Sequence, residues 1–328
     1  MDFRSEMSVN VIDRFEGQHR YLSNFSDFPA AYRDRWYPTA EHAFAAAKTT
    51  DPQWIARIAD APSPGAAKQL GRRVPLRPDW ETIKTQVMRE VVASKFARTP
   101  ALADRLRATG DTLLVEGNTW GDKFWGRVPN WGTRTLMGCN MLGRTLMAVR
   151  SELHGYPATR WPRAALTGHR EKLIAPELRD WLNSELRRLA VKLRDDHQTH
   201  TGSSGLATGS DTWWAGAVLD AGLALWAYQP FPQQADRWTQ TQRREHARLR
   251  DRAERLVVVG DGYSNGNFDL RNELLIGDAN VVVAVRDPAI TRGGTVSALR
   301  RYCIGMPVIT INVRTRRTTI STAFRPHP

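Results

Sequence analysis

Apolar positions recur at helical spacing through the first 155 residues and in short strand-length runs after them. Thr39, following Pro38, is placed to cap a helix over residues 40–48, which sets Glu41, Phe44, Ala45 and Lys48 on one face. Helices are also predicted over 54–59, over 63–70 ending at Gly71, over 80–99 and over 102–108. The 80–99 helix carries an apolar stripe of Ile83, Val87, Val91, Val92 and Phe96, and Pro100 closes it. Residues 113–116 read as a strand, and 140–153 return to helix. Between them, 117–138 is rich in Gly, Trp and polar residues and predicts a loop, of a length that usually carries function.

The pattern changes at 157–162, between Pro157 and Pro162. Strands are predicted over 163–167, 200–203, 223–229, 255–259, 280–286 and 307–313. Helices are predicted over 176–193, 211–221, 233–254, 270–279 and 295–303. Strict alternation predicts a parallel sheet covered by helices on both faces. The expected division is a helix-rich α+β domain over 1–156, an α/β parallel-sheet domain over 157–313, and a polar, basic and mobile tail over 314–328. No internal repeat is visible.

The 328 residues suffice for two domains, and with 41% hydrophobic residues either half can bury a core. The net charge is +13, of which +5 lies in residues 1–155 and +8 in the rest. Such a balance favours anionic partners, nucleic acid among them, and equally fits an arginine-rich soluble surface. No basic run alternates with aromatics as an RNA-binding platform would. Two distant cysteines, Cys139 and Cys303, make a disulfide framework or zinc site improbable. The opening Met1-Asp-Phe-Arg-Ser-Glu6 is not apolar and no apolar run reaches membrane length, so a cytoplasmic protein is expected. Nothing in the sequence sets an oligomeric state.

Two segments concentrate the candidate chemistry of the first half, Trp36-Tyr-Pro-Thr-Ala-Glu-His42 and Trp120-Gly-Asp-Lys-Phe-Trp-Gly126. Glu41 falls in the opening turn of a helix, and Asp122 lies between two tryptophans. Acids among aromatic faces suit a flat ring attached to a sugar. Breaking an N-glycosidic bond builds positive charge on the sugar carbon, which a nearby carboxylate stabilises. Plainer roles remain open: Glu41 complementing the helix dipole, Asp122 capping a turn, Trp80 filling the core, Lys48 solvated, Glu116 a buried structural acid. Glu41 beside His42 resembles half a metal motif, but no second His follows four residues on, so no metal and no cofactor are expected.

Across residues 14–153 the chain resembles the NADAR family (YbiA-like). The matching segments include Tyr21-Leu-Ser-Asn-Phe25, Tyr37-Pro-Thr-Ala-Glu-His42, Ala67-Lys-Gln-Leu-Gly-Arg72, Leu114-Val-Glu116, Trp120–Gly126 and Gly138-Cys-Asn-Met-Leu-Gly143, in order. The resemblance implies an N-glycosidase acting on an ADP-ribose- or NAD-derived substrate or a ribosylated base, such as ADP-ribosylated guanine in nucleic acid or a ribosylamino-pyrimidine phosphate. Glu41 and Asp122 are then the catalytic carboxylates. Trp80, Trp120 and Trp125 would stack a base beside Gly126, Lys48 and Arg20 would hold phosphate, and Asn24 and Asn140 would bind ribose hydroxyls. Rival expectations are a non-catalytic sensor of NAD metabolites and a protein that binds ADP-ribosylated nucleic acid.

Residues 163–313 are similar to the SLOG superfamily in its YpsA-like branch. The carrying segments are Leu166-Thr-Gly-His-Arg170, Ser204-Gly-Leu-Ala-Thr-Gly-Ser-Asp211, Pro230-Phe-Pro-Gln-Gln234, Arg271-Asn272 and Arg292-Gly-Gly-Thr295. The similarity implies a Rossmann-like fold with a nucleotide-like or NAD-derived ligand. That ligand would lie against Gly168, Arg170, Gly205, Asp211, Arg271, Asn272, Gly293, Gly294 and Thr295. Gly293 and Gly294 let backbone N–H groups approach a phosphate at a helix start. Hydrolytic relatives carry a glutamate where this chain has Ala298, so binding rather than cleavage is expected here.

Overall fold

Three short helices of the first half begin at side-chain caps: Thr39, Asp51 and Ser63 accept hydrogen bonds from the backbone N–H groups of His42, Gln53 and Ala66. The computed structural model describes residues 11–133 and 135–325, so the opening hexapeptide and the end of the basic tail lie outside the described residues. The chain forms two units. One holds residues 11–128 with Asn140–Tyr156, and the other holds Pro129–Cys139 with 157–325.

The first unit contains β1 (Val11–Ile12), β2 (Ala30–Tyr32), β3 (Arg35–Tyr37), α1 (Ala40–Ala46), α2 (Pro52–Ala59), α3 (Pro64–Gly71), α4 (Trp80–Arg98), α5 (Pro100–Arg107), β4 (Leu113–Leu114) and α6 (Met141–Leu153). The expected stripe of α4 is buried at Val87, Val91, Val92 and Phe96. β1 pairs in parallel with β4, and β2 with β3 as a hairpin that Ser94 of α4 ties through both its hydroxyl bonds to Ala31. Every residue of α1 is buried, so the acid in its first turn is carried inside.

The stretch expected to be one loop, 117–138, contains the hairpin strands β5 (Val128–Asn130) and β6 (Thr135–Met137). Strands of three residues are too short to display a two-residue period. From Pro129 onward this hairpin groups with the second unit. Asn130 Nδ2 and Thr133 Oγ1 donate to the Val259 carbonyl at 2.9 and 3.2 Å, and Thr135 Oγ1 donates to that of Val258 at 2.6 Å. Cys139, assigned by sequence to the first domain, is thus in the same unit as Cys303.

The second unit continues with β7 (Arg163–Gly168), α7 (Pro176–His197), β8 (Thr201–Ser204), α8 (Ser210–Asp220), β9 (Ala224–Gln229), α9 (Gln240–Asp251), β10 (Arg255–Val258), α10 (Asn265–Gly277), β11 (Val281–Arg286), α11 (Gly294–Tyr302), β12 (Val308–Asn312) and β13 (Arg317–Ser321). The sheet order is β10-β9-β8-β7-β11-β12-β13, parallel except for β13. Alternate residues of β11 face opposite layers. Val281, Val283 and Val285 pack with Leu182, Leu186 and Leu193 of α7 and Trp214 of α8, while Val282 and Ala284 pack with Ile276, Leu299 and Cys303. Burial on both faces accounts for the unbroken apolar run.

Two expectations need correction. The predicted helix 233–254 starts only at Gln240, where Thr239 and Gln242 form a capping box, and 233–238 make turns. The tail expected to be mobile contributes β13, antiparallel to β12 from Val308↔Ser321 to Asn312↔Arg317. β-branched Thr318, Thr319 and Ile320 suit a strand, a signal masked by the surrounding arginines. No helix among the described residues is long and apolar enough to cross a membrane.

Candidate active site

Glu41 enters the protein interior because α1 starts there. Its backbone N–H donates to the Asn24 carbonyl at 3.1 Å, and its side chain is 7% exposed. Burial pushes its pKa up, and Lys68, Lys48 and Arg72 oppose that shift while Asp122 adds to it. The acid therefore faces cations from α3 and from just beyond α1, with a second carboxylate near. The helix expected to reach 48 ends at Ala46, so Lys48 lies in the turn beyond it, and burial lowers its pKa. Lys68 Nζ lies between two rings, 5.4 Å from the Phe25 centroid and 5.6 Å from that of Trp120. Trp120 is exposed, while Trp125 meets Phe44 edge-on at 5.1 Å. His42 is a satisfied core histidine, with its ring nitrogens 2.8 Å from Thr39 Oγ1 and 3.1 Å from the Ala61 carbonyl oxygen.

Asp122 shapes the loop. Its Oδ1 accepts the N–H groups of Phe124 and Trp125 at 3.0 and 2.9 Å. Asn118 closes the turn by accepting Asp122 N–H at 3.0 Å and donating to its carbonyl at 2.7 Å. Gly126 is required here by close approach, since a Cβ on it would lie 2.2 Å from the Glu116 carbonyl oxygen. Asn24 is buried, with Nδ2 3.3 Å from Met88 Sδ and Oδ1 without a partner among the described residues. Arg20 is exposed and donates to the Phe25 carbonyl at 3.4 Å.

Two sequence assignments do not survive. Trp80 is 6% exposed and packs on Phe44 at 5.1 Å, a core contact rather than a stacking platform. Asn140, expected on a ribose, is wholly buried and committed to backbone: Oδ1 accepts Glu116 N–H at 3.0 Å and Nδ2 donates to the Leu114 carbonyl at 2.8 Å. It also adopts a left-handed φ of 54°. Asn140→Ala should therefore lower stability by about 3–5 kcal/mol, from two orphaned backbone groups and the positive φ. Asn140→Gly should recover roughly 1 kcal/mol of that. Denaturant melts of both check this, and a loss under about 1 kcal/mol in Asn140→Ala would show that the amide does not hold the strand.

Sequence reasoning gave no role to Lys68 or Arg72, although both lie in a quoted motif, because nothing along the chain relates α3 to residue 41. It left a structural role open for Glu116 and gave it no part in the chemistry. In the structure burial, then Asp122, raises Glu116 to about 7, with Lys68 and Lys95 opposing and Glu16 adding.

In the second unit a cavity of about 900 Å³ opens at the C-terminal edge of the sheet. It lies where strand order reverses, between β7 and its neighbours, the usual ligand position in such sheets. Of the nine residues expected there, Gly168, Arg170, Asp211, Arg271, Asn272, Gly293, Gly294 and Thr295 line it. Gly205 lies behind, where its missing Cβ leaves room for the Arg271 guanidinium. Arg271 donates to Asp211 at 3.2 Å, both side chains 8% exposed, and burial pushes the Asp211 carboxyl up. Sequence reasoning missed Arg237, Trp238 and the ring cluster Phe231, Tyr263 and Phe268, with centroids 5.6–6.0 Å apart. His169 Nε2, Gln234 Oε1 and Arg271 Nε, all from lining residues, are buried without partners. Among the described residues no group of three or more His, Cys, Asp or Glu could hold a metal ion.

The first unit thus holds a buried carboxylate among cations and aromatic faces. Residues 12–154 match the NADAR domain, and the chain belongs to that family. An N-glycosidase of Nostoc punctiforme is 41% identical over 137 residues, covering 40% of this chain and 84% of the relative. N-glycosidase YbiA of Escherichia coli is 37% identical over 151 residues, covering 45% of this chain and 91% of the relative. The NMR structure of E. coli YbiA is 32% identical, covering 47% of this chain and 94% of that one, at a TM-score of 0.40. The family match stops at residue 154.

Proposed function

We propose that the first unit is a cytosolic N-glycosidase that hydrolyses an N-ribosyl bond in an ADP-ribose conjugate or ribosylated base, and that the second unit holds an NAD- or nucleotide-derived ligand without consuming it. The observation that carries the first reading is Glu41, buried at the start of α1 and opposed by Lys48, Lys68 and Arg72. A carboxylate so placed stabilises the positive charge that develops on the ribose carbon as the C–N bond lengthens. The cations suit the phosphate that such substrates carry, and exposed Trp120 offers a ring for the leaving base. The relatives named N-glycosidase support the reaction class. A sensor in which both units only bind would have no use for a buried acid facing three cations.

The reading of the second unit rests on the four arginines 170, 237, 271 and 292, the ring cluster and the start of α11, all on one cavity. Arginines and a helix N-terminus suit phosphate, and the rings suit a base. The test of the whole proposal is incubation of the full chain with ADP-ribosylated guanosine, ADP-ribosylated oligonucleotides, NAD and a ribosylamino-pyrimidine phosphate, with mass analysis of the products. Release of a free base from at least one is expected. No release from any would remove the glycosidase reading, and a rate steeply lowered by salt on the oligonucleotide alone would make nucleic acid the substrate.

A further inference from the structure

Expelling a neutral amine or base nitrogen from a ribose carbon leaves an anion unless that nitrogen gains a proton as the bond breaks. Glu41 faces Lys68, Lys48 and Arg72, cations that oppose the rise burial imposes on it and face a carboxylate rather than a proton donor. Asp122 already accepts two backbone N–H groups through Oδ1, which ties it to the turn. We propose that Glu116 is the catalytic acid that delivers the proton to the leaving nitrogen, an assignment that rests on the N-glycosidase reading of this unit. Trp125, whose N–H Asp122 holds, meets Phe44 of α1 edge-on at 5.1 Å, and the adjoining Gly126 lies against Glu116, so one loop joins the two acids.

Glu116 is held from several sides. Its N–H donates to Asn140 Oδ1 at 3.0 Å, its carbonyl accepts Arg127 N–H at 2.8 Å, and Gly126 lies against its Cγ, where a Cβ would come within 3.0 Å. Its Oε2 is closed from solvent and has no hydrogen-bond partner among the described residues. An ionised carboxylate would leave that buried lone-pair site uncompensated, so the surroundings favour the protonated acid. The groups facing it are Asp122 on its own loop, Lys68 from α3, Lys95 from α4 and Glu16. With its pKa pushed up to about 7, it holds a proton to give at neutral pH and can take one back.

The step balances as hydrolysis. The C–N pair stays on the leaving nitrogen, which takes the Glu116 proton. Water adds its oxygen to the ribose carbon and gives a proton to the Glu116 carboxylate, restoring the acid. Glu41 remains a carboxylate throughout.

The experiment uses the full chain and whichever of ribosylamino-pyrimidine phosphate and ADP-ribosylated guanosine it hydrolyses faster. Wild-type kcat/KM should fall above about pH 7 as Glu116 loses its proton. Glu116→Gln, nearly isosteric, should lower kcat/KM roughly a hundredfold or more and abolish that alkaline limb. Glu116→Asp should keep the limb with a smaller loss. Lys95 is brought down to about 7 by burial and titrates in the same range, so Lys95→Met is measured beside them and should keep the limb. Unchanged melting curves secure the comparison. A Glu116→Gln enzyme that keeps the limb, or a limb lost only in Lys95→Met, would overturn the assignment while leaving the glycosidase reading intact. Absence of base release by the wild type would overturn both.

Discussion

Glu41→Gln is expected to lower turnover at least a hundredfold while the melting temperature moves by only a few degrees. Gln keeps the volume and both polar atoms but removes the charge. The ribosyl cation then forms beside Lys48, Lys68 and Arg72 with no nearby Glu41 carboxylate to offset them. A preorganised charge in a site shut from water is worth a few kcal/mol of barrier, roughly a hundredfold to a thousandfold in rate. Folding feels the change less, because losing the carboxylate also removes the cost of burying it. The pH dependence follows from the sign of the shift. Burial raises the pKa of Glu41, so the acid limb of wild-type kcat/KM lies above the ordinary carboxylate range, with activity present above it and lost as pH falls through it. In Glu41→Gln the residual rate should lack that limb. Steady-state rates across pH on the substrate identified from the panel check both, and near-normal turnover would remove Glu41 from the chemistry.

Much of this site was legible because it is local in sequence. A helix cap at Thr39 and an acid two residues on are statements about a single helix, and the structure keeps both, while Lys48, expected on the same helix, lies in the turn past its end. What required the structure was what only packing brings together. Lys68 and Arg72 act on Glu41 because α3 lies beside α1, and no periodicity in either segment says so. Asn140 looked like a polar residue free for a ribose. Its left-handed backbone and its two bonds to β4 and Glu116 follow from a chain reversal that spacing does not reveal. The parallel sheet was legible from strict alternation of elements, yet β13 was hidden under arginines, and the turns over 233–238 lie inside a stretch expected to be helix. The glycine loops of the second half were found because turns and close approaches demand glycine. The aromatic side of the same cavity was not, since Phe231, Tyr263 and Phe268 come from two separate loop and helix segments.

Gly205→Ala is expected to abolish ligand binding in the second unit at micromolar concentrations and to destabilise the protein. The new Cβ would lie 1.1 Å from Arg271 Nη1 and 2.7 Å from Asp211 Oδ2. The guanidinium is the flexible end of a long side chain, so it leaves its slot and turns toward the cavity, into the space the ligand would occupy. Asp211 then stays buried without its cation. Breaking a buried pair from one side costs about 3–5 kcal/mol when the remaining charge persists, and less here because the carboxyl can take a proton. That escape fixes the pH dependence. Burial already raises Asp211, and losing Arg271 raises it further, so the folded variant holds a proton that the unfolded chain releases. Its deficit against the unaltered protein should be small below about pH 4 and grow as pH rises from there toward the raised pKa of the folded state. Calorimetry with ADP-ribose and NAD on the full chain reads the binding, and denaturant melts at pH 4 and 7 read the stability. If Gly205→Ala binds as tightly as the unaltered chain, phosphate is not held near Arg271. If its deficit is the same at both pH values, the Asp211 carboxyl is not what Arg271 neutralises.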